Sequence, residues 1–235
     1  MKKLLTVAVL AFFALSVRSQ DSLAKANIEA FYNQTVQQQH RLYNGIQHTG
    51  YSPVIKGHAY YLTRDWQKGS LSYDGTYYDD VPMIYDMYKD QVVIKHTNET
   101  FVVGLVSPRV KSFDMPGHSF IRVEDTMPGM QSGFYEVLAE GPATALARRT
   151  KTMREMINYN SNRMDYEFLE HNKFYIKKDG AYRVIRSEGQ LLDALNDERA
   201  QVKQFLRKNN IRYGRGAEQA IVEAVKYYAS LKRSS

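Results

Sequence analysis

The chain has 235 residues, with 32 Lys and Arg against 25 Asp and Glu, which gives a formal net charge of +7. It contains no cysteine, which excludes disulfides, thiolate metal sites and cysteine nucleophiles. Acidic and basic residues are interspersed through most of the chain, a pattern that does not favour a nucleic-acid-binding protein.

The first nineteen residues have the pattern of an export signal. Two lysines precede an apolar run, Leu4–Val17, which is shorter than the roughly 20 residues needed to cross a bilayer. Small residues then predict cleavage before Gln20, and because the removed segment holds three cations and no acid, the net charge falls from +7 to +4. We therefore expect a protein exported to the periplasm or the outer envelope, with an N-terminal membrane anchor as the alternative.

Asp21–Leu42 predicts a helix, because apolar residues recur at helical spacing and glycine and proline are absent. The stretch Trp66–Phe113 predicts an antiparallel β meander on which the rest of the chain packs. Asp74-Gly75 has the pattern of a two-residue type I′ hairpin turn. Pro82 lacks an amide donor and indicates a sheet edge or a bulge, and Lys89-Asp90 indicates a turn.

Further strands are predicted at Val110–Phe113, His118–Val123 and Phe134–Ala139. Ala143–Arg154 is open between a helix, which its alanines favour, and a strand that completes a hairpin, which its alternation favours; we expect the strand. Glu155–Arg163 is rich in asparagine and predicts a mobile segment.

A last hairpin, Phe174–Arg186, is indicated by Asp179-Gly180. Ser187 and Gln190 have the spacing of a helix capping box, and the chain beyond them is helical in pattern. The final helix, from Ala217, carries an apolar stripe wide enough to dock on a sheet or another helix.

Together these elements predict an α+β fold, with a mainly antiparallel β meander or half-barrel, an N-terminal helix and a C-terminal helical segment. The expected division is a signal peptide at 1–19, a β-rich domain with its helix at 20–186, and helices at 187–235 that pack on the β domain. Without disulfides the core must supply the stability, and 18 Tyr and 10 Phe suit that requirement.

Segments throughout the mature chain resemble a family of exported bacterial proteins of the Bacteroidota type, for which no activity is established. The resemblance rests on Leu42-Tyr43-Asn44-Gly45, Ile55-Lys56-Gly57-His58, Trp66-Gln67-Lys68-Gly69-Ser70, Tyr73-Asp74-Gly75, Val81-Pro82-Met83-Ile84-Tyr85-Asp86 and the hairpin Tyr175–Arg186. It implies export into the envelope and one continuous β-rich body with a helical tail. It implies no catalytic or binding residues.

His58 and His118 are the strongest histidine candidates, because each follows a glycine and enters a predicted strand. Two such histidines can meet across a sheet, and the alternative is a polar residue at each strand edge. None of the six histidines has the H-x-H or H-E-x-x-H spacing of a metal site. The acids Asp79-Asp80, Asp86 and Asp90 can supply acid–base or cation chemistry, but we interpret them as solvated turn acids.

Aromatic residues give further binding candidates. A tyrosine-rich face of the meander can line a groove for a sugar or a peptide, although ordinary sheet packing is the simpler interpretation. Trp66 fits a core residue or a lid over the sheet. The candidate binding residues are therefore Trp66, Tyr73, Tyr77, Tyr78, Tyr85, Tyr88, His58 and His118.

The densest basic patch consists of Arg148, Arg149, Lys151 and Arg154. A solvated strand face is the simpler interpretation of these residues. The alternative is peripheral contact with an anionic envelope surface, through polymers or lipid head groups.

The chain has no G-x-S-x-G elbow, no phosphate-binding loop and no dinucleotide fingerprint. The sequence therefore assigns no catalytic residue, no metal and no cofactor. We expect a non-enzymatic module that binds an envelope protein or polymer, without nucleic acid and without a transmembrane span after signal cleavage. The alternative is a hydrolase of an envelope or imported polymer that uses His58, His118 and an acid from Asp79–Asp90.

Overall fold

The computed structural model describes residues 42–43, 45–95, 101–124, 130–158 and 163–233. The elements below all belong to one compact unit, Gly45–Ser235. The predicted signal peptide and almost all of the predicted helix Asp21–Leu42 lie outside the described residues. Among the described helices, none combines the length and apolarity needed to cross a membrane.

Eleven strands in the described residues form one sheet in which neighbouring strands are antiparallel. They are β1 (Ile46–Gln47), β2 (Gln67–Tyr73), β3 (Thr76–Asp86), β4 (Gln91–Lys95), β5 (Val102–Gly104), β6 (Val110–Met115), β7 (His118–Val123), β8 (Gly133–Ala139), β9 (Ala143–Asn158), β10 (Arg163–Lys178) and β11 (Ala181–Ile185). Their order across the sheet is β1-β5-β4-β3-β2-β6-β7-β8-β9-β10-β11. The prediction of a mainly antiparallel fold is confirmed, and β2 is the strand at which two meanders join.

Three sharp turns depend on residues that tolerate a positive φ. Asp74 and Gly75 have φ values of 49° and 77° between β2 and β3, and Asp179 and Gly180 have 50° and 76° between β10 and β11. Asp90 has a φ of 53° in the turn between β3 and β4. Because glycine, aspartate and asparagine adopt such values most readily, these residues determine where the chain reverses. The three predicted turns are confirmed.

Pro82 lies just beyond the end of the ladder between β3 and β4. That ladder begins at Met83, so no strand on this side requires an amide from the proline. On the other side, the pairing of β3 with β2 shifts register between Gly69 and Leu71, which is the pattern of a β-bulge. The predicted edge position of Pro82 is therefore confirmed on the side of β4, while the bulge lies nearby, at Asp79-Asp80.

The sheet curls strongly, because side chains from distant strands meet on its inner face. The ring centroids of Tyr85 in β3 and Phe134 in β8 lie 5.9 Å apart, whereas these strands would be about 19 Å apart in a flat sheet. The Lys151 amide of β9 also donates to the Met87 carbonyl at 3.2 Å. This contact brings the two flanks together without forming a strand ladder, and the sheet remains open.

The hairpin of β9 and β10 extends beyond its neighbours, and each of its strands has 16 residues. β8 pairs with β9 along residues 145–147, and β11 pairs with β10 from Phe174 onward. The strand predicted at Ala143–Arg154 is confirmed. The mobile segment predicted at Glu155–Arg163 is wrong for residues 155–158 and for Arg163, because β9 and β10 supply each other's hydrogen bonds there. Residues 159–162 lie outside the described residues.

Three helices among the described residues follow the sheet, namely α1 (Glu188–Ala194), α2 (Arg199–Lys208) and α3 (Ala217–Arg233). α1 begins at the predicted cap, where the Ser187 hydroxyl accepts a hydrogen bond from the Gln190 amide at 3.3 Å. The helices share one core cluster with β8 to β11. On the sheet side this cluster is rich in alanine, which allows the helices to approach closely. The C-terminal helical segment therefore packs on the sheet.

Candidate functional site

The loop formed by residues 48–64, between β1 and β2, makes an aromatic pocket against β10. The pocket has a volume of about 230 Å³, which suits one ring-sized group, since sites for larger ligands measure roughly 300–1,000 Å³. Its aromatic walls are Tyr51, His58, Tyr60 and Phe168, and Arg64 contributes a cation. We refer to this site as the Tyr51 pocket.

Backbone and side-chain hydrogen bonds hold the loop against the sheet. Residues 59–61 bond to the end of β3 through two backbone contacts of 2.8 and 2.9 Å, and Lys56 bonds to β10 through two more of 2.9 and 3.0 Å. The Lys151 ammonium of β9 donates to the carbonyls of His58 and Tyr60 at 3.0 and 2.7 Å. The loop therefore presents a preformed wall.

Tyr51 is the centre of the aromatic group. Its ring lies edge to face with the rings of Tyr60, Phe168 and Tyr88, with centroid distances of 6.2, 5.2 and 5.8 Å. Such pairs contribute about 0.5–1.5 kcal/mol each beyond the burial of their surface. The rings therefore fix one another, and ligand binding would require little rearrangement.

A buried carboxylate, Asp86, anchors Tyr51 from below. Its Oδ2 atom accepts from the Tyr51 hydroxyl at 2.7 Å and lies 2.9 Å from His48 Nε2. Its Oδ1 atom accepts from the amides of Tyr88 and Lys89 at 3.0 and 2.9 Å. Burial would raise the pKa of Asp86, but the hydrogen bonds from His48, Lys89 and Tyr51 outweigh it and lower the pKa overall. The carboxylate therefore stays ionised and holds the base of the pocket.

The electrostatic environment at the wall of the pocket is positive. Burial, followed by the charges of Lys151 and Arg64, lowers the pKa of His58, so this imidazole is neutral at neutral pH. Burial likewise lowers the pKa of Lys151, against the opposing charges of Glu170 and Asp86. The Arg64 guanidinium donates to the Gly57 carbonyl and is exposed to solvent, so it remains accessible to an acceptor on a ligand.

A second polar network lies where β7, β8 and β9 meet. His118 Nδ1 lies 2.5 Å from Glu136 Oε1, and the Tyr61 hydroxyl donates to the same oxygen at 3.1 Å. The other oxygen of Glu136 accepts from Arg149 Nε, and Arg149 Nη2 donates to Glu218 at the start of α3 at 2.8 Å. This network ties the sheet to the helix, and 31 % of the His118 side chain remains exposed.

The structure places the two predicted histidines in different networks. His58 lines the Tyr51 pocket beside Lys151 and Arg64, whereas His118 contacts Tyr61 and Glu136. Among the described residues, His58 and His118 share no hydrogen-bonding or ring-contact partner. His118 does have an acidic partner, as a catalytic histidine would require, but that partner is Glu136 and not an acid from Asp79–Asp90.

The tyrosines of the predicted binding face separate into two groups. Tyr73 and Tyr85 are 0 % and 1 % exposed and belong to the core, so they leave no ring surface for a ligand. Tyr77 is 65 % exposed on the β2–β3 hairpin, and Tyr78 is half-buried. Tyr88 contacts Tyr51 and so lies beside the Tyr51 pocket.

Trp66, the remaining aromatic candidate, is half-buried. The Lys95 ammonium lies over its ring, 5.3 Å from the centroid. This geometry is a cation–π contact, and it ties the chain before β2 to the end of β4.

The interpretation of the acids of β3 as solvated turn residues is wrong for Asp86, which is 0 % exposed. Asp90 is half-buried, and Arg148 holds both of its oxygens at 2.9 Å. The adjacent pair Asp79-Asp80 is exposed at the bulge, as expected. No group of three or more His, Asp or Glu side chains within the described ranges is arranged to hold a metal ion.

The predicted basic patch is not one face. Arg148 and Arg149 are buried and bond to Asp90 and Glu136, because neighbouring strand residues point to opposite sides of the sheet. The Lys151 ammonium donates to loop carbonyls, and Arg154 pairs with an acid of β10 at 2.7 Å. These four cations therefore present no shared surface to an anionic partner.

Sequence reasoning missed the residues that build the Tyr51 pocket. They are Tyr51, Tyr60, Arg64 and Phe168, together with the supporting side chain His48, whereas Asp86 was considered but interpreted as a turn acid. The available signal was a cluster of two glycines, a proline and three tyrosines between residues 50 and 61, a composition typical of a structured loop. Phe168 lies more than a hundred residues later, and no feature of the sequence around it predicts that its ring lines the Tyr51 pocket.

Comparison of this chain with protein-family models, with curated proteins and with solved structures finds no match. The arguments below therefore depend on the geometry of the chain itself.

Proposed function

We propose that the protein is an exported, non-enzymatic binding module of the cell envelope, and that the Tyr51 pocket is its ligand site. The observation that carries the proposal is a preformed cavity of about 230 Å³ walled by aromatic rings and supplied with one cation, Arg64. Export follows from the N-terminal signal pattern and from the resemblance to exported Bacteroidota-type proteins. A polymer of the cell envelope is the ligand class that we propose, because export would place the pocket among such polymers.

The chemistry of the pocket favours a sugar ring of such a polymer. Aromatic faces bind the apolar C–H surface of a ring, and a small number of polar groups orient it. The Arg64 guanidinium and the Ser52 hydroxyl line the same pocket and provide hydrogen-bonding groups for ring substituents. The volume admits one ring, so a longer chain would place a single residue here and continue outside.

Calorimetric titration with N-acetylglucosamine oligosaccharides tests this proposal. We expect Tyr60→Ala to weaken binding by about tenfold or more, because truncation of an aromatic anchor costs on the order of 2 kcal/mol. The matched control is Tyr77→Ala, since Tyr77 is an exposed tyrosine outside the pocket. Loss of binding in the Tyr77 variant with full binding in the Tyr60 variant would contradict the proposal and favour a site on the β2–β3 hairpin.

A hydrolase acting on an envelope or imported polymer is the second candidate, and the pair of His118 and Glu136 is the observation that favours it. A carboxylate at 2.5 Å orients the imidazole, and the imidazole is partly exposed, as a general base requires. The test is release of reducing ends from the same oligosaccharides by the wild type and by His118→Asn. Hydrolysis by the wild type that is lost in the variant, at unchanged binding, would replace the binding-only function.

A further inference from the structure

A second concave surface lies around Tyr213, where β11 ends and leaves the edge of β10 open. One cavity of about 260 Å³ lies between β10, the end of β11 and Tyr213. Another of about 380 Å³ lies between the start of α1, the end of α2 and Tyr213. The tyrosine lines both cavities, so it forms the wall between them. We call this surface the Tyr213 surface.

Four exposed cations from separate chain segments line the Tyr213 surface. Lys173 and Arg186 line the first cavity, and Arg207 and Arg212 line the second. Glu188 is the one acidic residue among the lining residues of the two cavities. The surface therefore carries an excess of positive charge within two neighbouring concavities.

These cations are not used to hold the fold together. Among the described residues, none of the four has a carboxylate partner. Other cations of the chain do hold the fold together, as Arg148 does by pairing with Asp90 and Lys178 by pairing with Asp197. Unpaired arginines around a concave surface are available to an anion from outside.

Tyr213 is positioned as a rigid platform between the cations. Its hydroxyl donates to the Ile185 carbonyl at 3.0 Å, and its ring is partly exposed. Burial raises the pKa of this hydroxyl, so the tyrosine stays neutral beside an anionic ligand.

We propose that the Tyr213 surface binds an acidic polysaccharide, with one carboxylated sugar residue in each cavity. Guanidinium groups match carboxylates in a planar, two-bond geometry, and the tyrosine between the cavities offers a ring against which a sugar packs. Two cavities that share one wall fit two successive residues of a chain. This inference concerns residues separate from the Tyr51 pocket and does not depend on it.

The same surface fits other polyanions less well. A membrane-binding surface adds apolar side chains that enter the lipid, but none of the exposed large hydrophobic residues in the described ranges lines these cavities. Single-stranded nucleic acid is bound by successive aromatic platforms, whereas Tyr213, which is partly exposed, is the one aromatic residue that lines both cavities. A discrete acidic glycan uses both the concave shape and the arginines.

Calorimetry with oligogalacturonate, a chain of carboxylated sugars, tests the proposal on the full mature protein. We expect binding that weakens with added salt, and a reduction in affinity of about tenfold or more in the double variant Arg207→Gln, Arg212→Gln. The control is Lys111→Gln, Lys226→Gln, which removes the same charge from exposed positions outside both cavities. The control should bind as the wild type does.

The outcomes that would overturn the proposal are distinct. Absence of oligogalacturonate binding would refute it, as would an equal loss in the control pair, because net charge alone would then explain the affinity. Tighter binding to phosphatidylglycerol vesicles or to an oligothymidine strand would assign the surface to a membrane or a nucleic acid instead. Tyr60→Ala should leave oligogalacturonate binding unchanged, which separates this result from the test of the Tyr51 pocket.

Discussion

Replacement of Asp86 by alanine should destabilise the protein strongly and open the base of the Tyr51 pocket. Asp86 is fully buried at the end of β3, and its two oxygens engage four donors or ring nitrogens within 3.0 Å. Alanine removes every one of these contacts at once and leaves Tyr51 without its anchor.

The loss of stability depends on which of the four partners of Asp86 can bond to water instead. The amides of Tyr88 and Lys89 lie in the turn between β3 and β4, and their bonds to Asp86 are part-buried, so water can replace these two bonds in part. The contacts to His48 and Tyr51 are buried or half-buried, and hydrogen bonds to a charged group contribute roughly 1.5–3 kcal/mol each. We therefore expect a loss of about 3–5 kcal/mol, which lowers the Tm by roughly 10 °C for a chain of this size.

Urea denaturation as a function of pH measures this contribution and its sign. The pKa of Asp86 is lower in the folded protein than its ordinary value, so the ionised carboxylate stabilises the fold. That stabilisation is complete above the unfolded pKa of about 4 and is lost as the pH falls through the lower folded pKa. The stability difference between the wild type and Asp86→Ala should therefore be constant near neutral pH and shrink below about pH 4.

Asp114→Ala is the matched control, because Asp114 is an exposed strand aspartate whose carboxylate accepts one bond from Ser70 at 3.1 Å. It should change stability by less than about 0.5 kcal/mol. A loss below about 1 kcal/mol in Asp86→Ala, or a difference that grows on acidification, would refute the assignment of an ionised, buried anchor.

Three further outcomes are expected. Arg148→Ala should lower the free energy of unfolding, measured by urea denaturation, by about 3–5 kcal/mol, because it leaves Asp90 without its two-bond partner. The exposed control Arg154→Ala should lower it by less than about 1 kcal/mol. Equal losses in the two variants would contradict the argument from burial. Deletion of Ala217–Ser235 should lower the Tm measured by circular dichroism, because the apolar stripe of α3 is buried on the sheet, and unchanged melting would show that the helix contributes no packing. Mass spectrometry of the envelope fraction should find Gln20 as the first residue, and intact chain in the cytosol would contradict the export signal.

Local chemistry explains the parts of the fold that the sequence predicts well. Asp74-Gly75 and Asp179-Gly180 specify their turns because few residues adopt a positive φ, and the observed angles confirm both. Ser187 acts through its side-chain hydroxyl, which caps the next helix, and Pro82 acts through the amide hydrogen that it lacks. In each case the deciding interaction lies within a few residues of the chain.

The candidate sites depend on contacts that no local pattern contains. The sequence around Asp86 predicts a turn acid. The residue is nevertheless buried, because His48 and Tyr51, more than thirty residues earlier, approach it. Glu136 becomes the partner of His118 through the register of β7 and β8. The basic run from Arg148 to Arg154 divides between two faces because the segment is a strand. Contacts between segments that are distant in sequence therefore determine the burial and the partners of these residues.

The position of β2 between the two meanders has a consequence for the order of folding. The hairpins on each side of β2 form from neighbours in sequence, whereas the ladder of β2 with β6 joins Leu71 to Phe113 and must close a loop of some forty residues. Closure of such a loop is slower than formation of a hairpin. Until β6 arrives, one edge of β2 is unpaired and open to other chains. Between synthesis of the first meander and synthesis of β6, the exposed edge of β2 is therefore the part of the sheet most prone to pair with another chain.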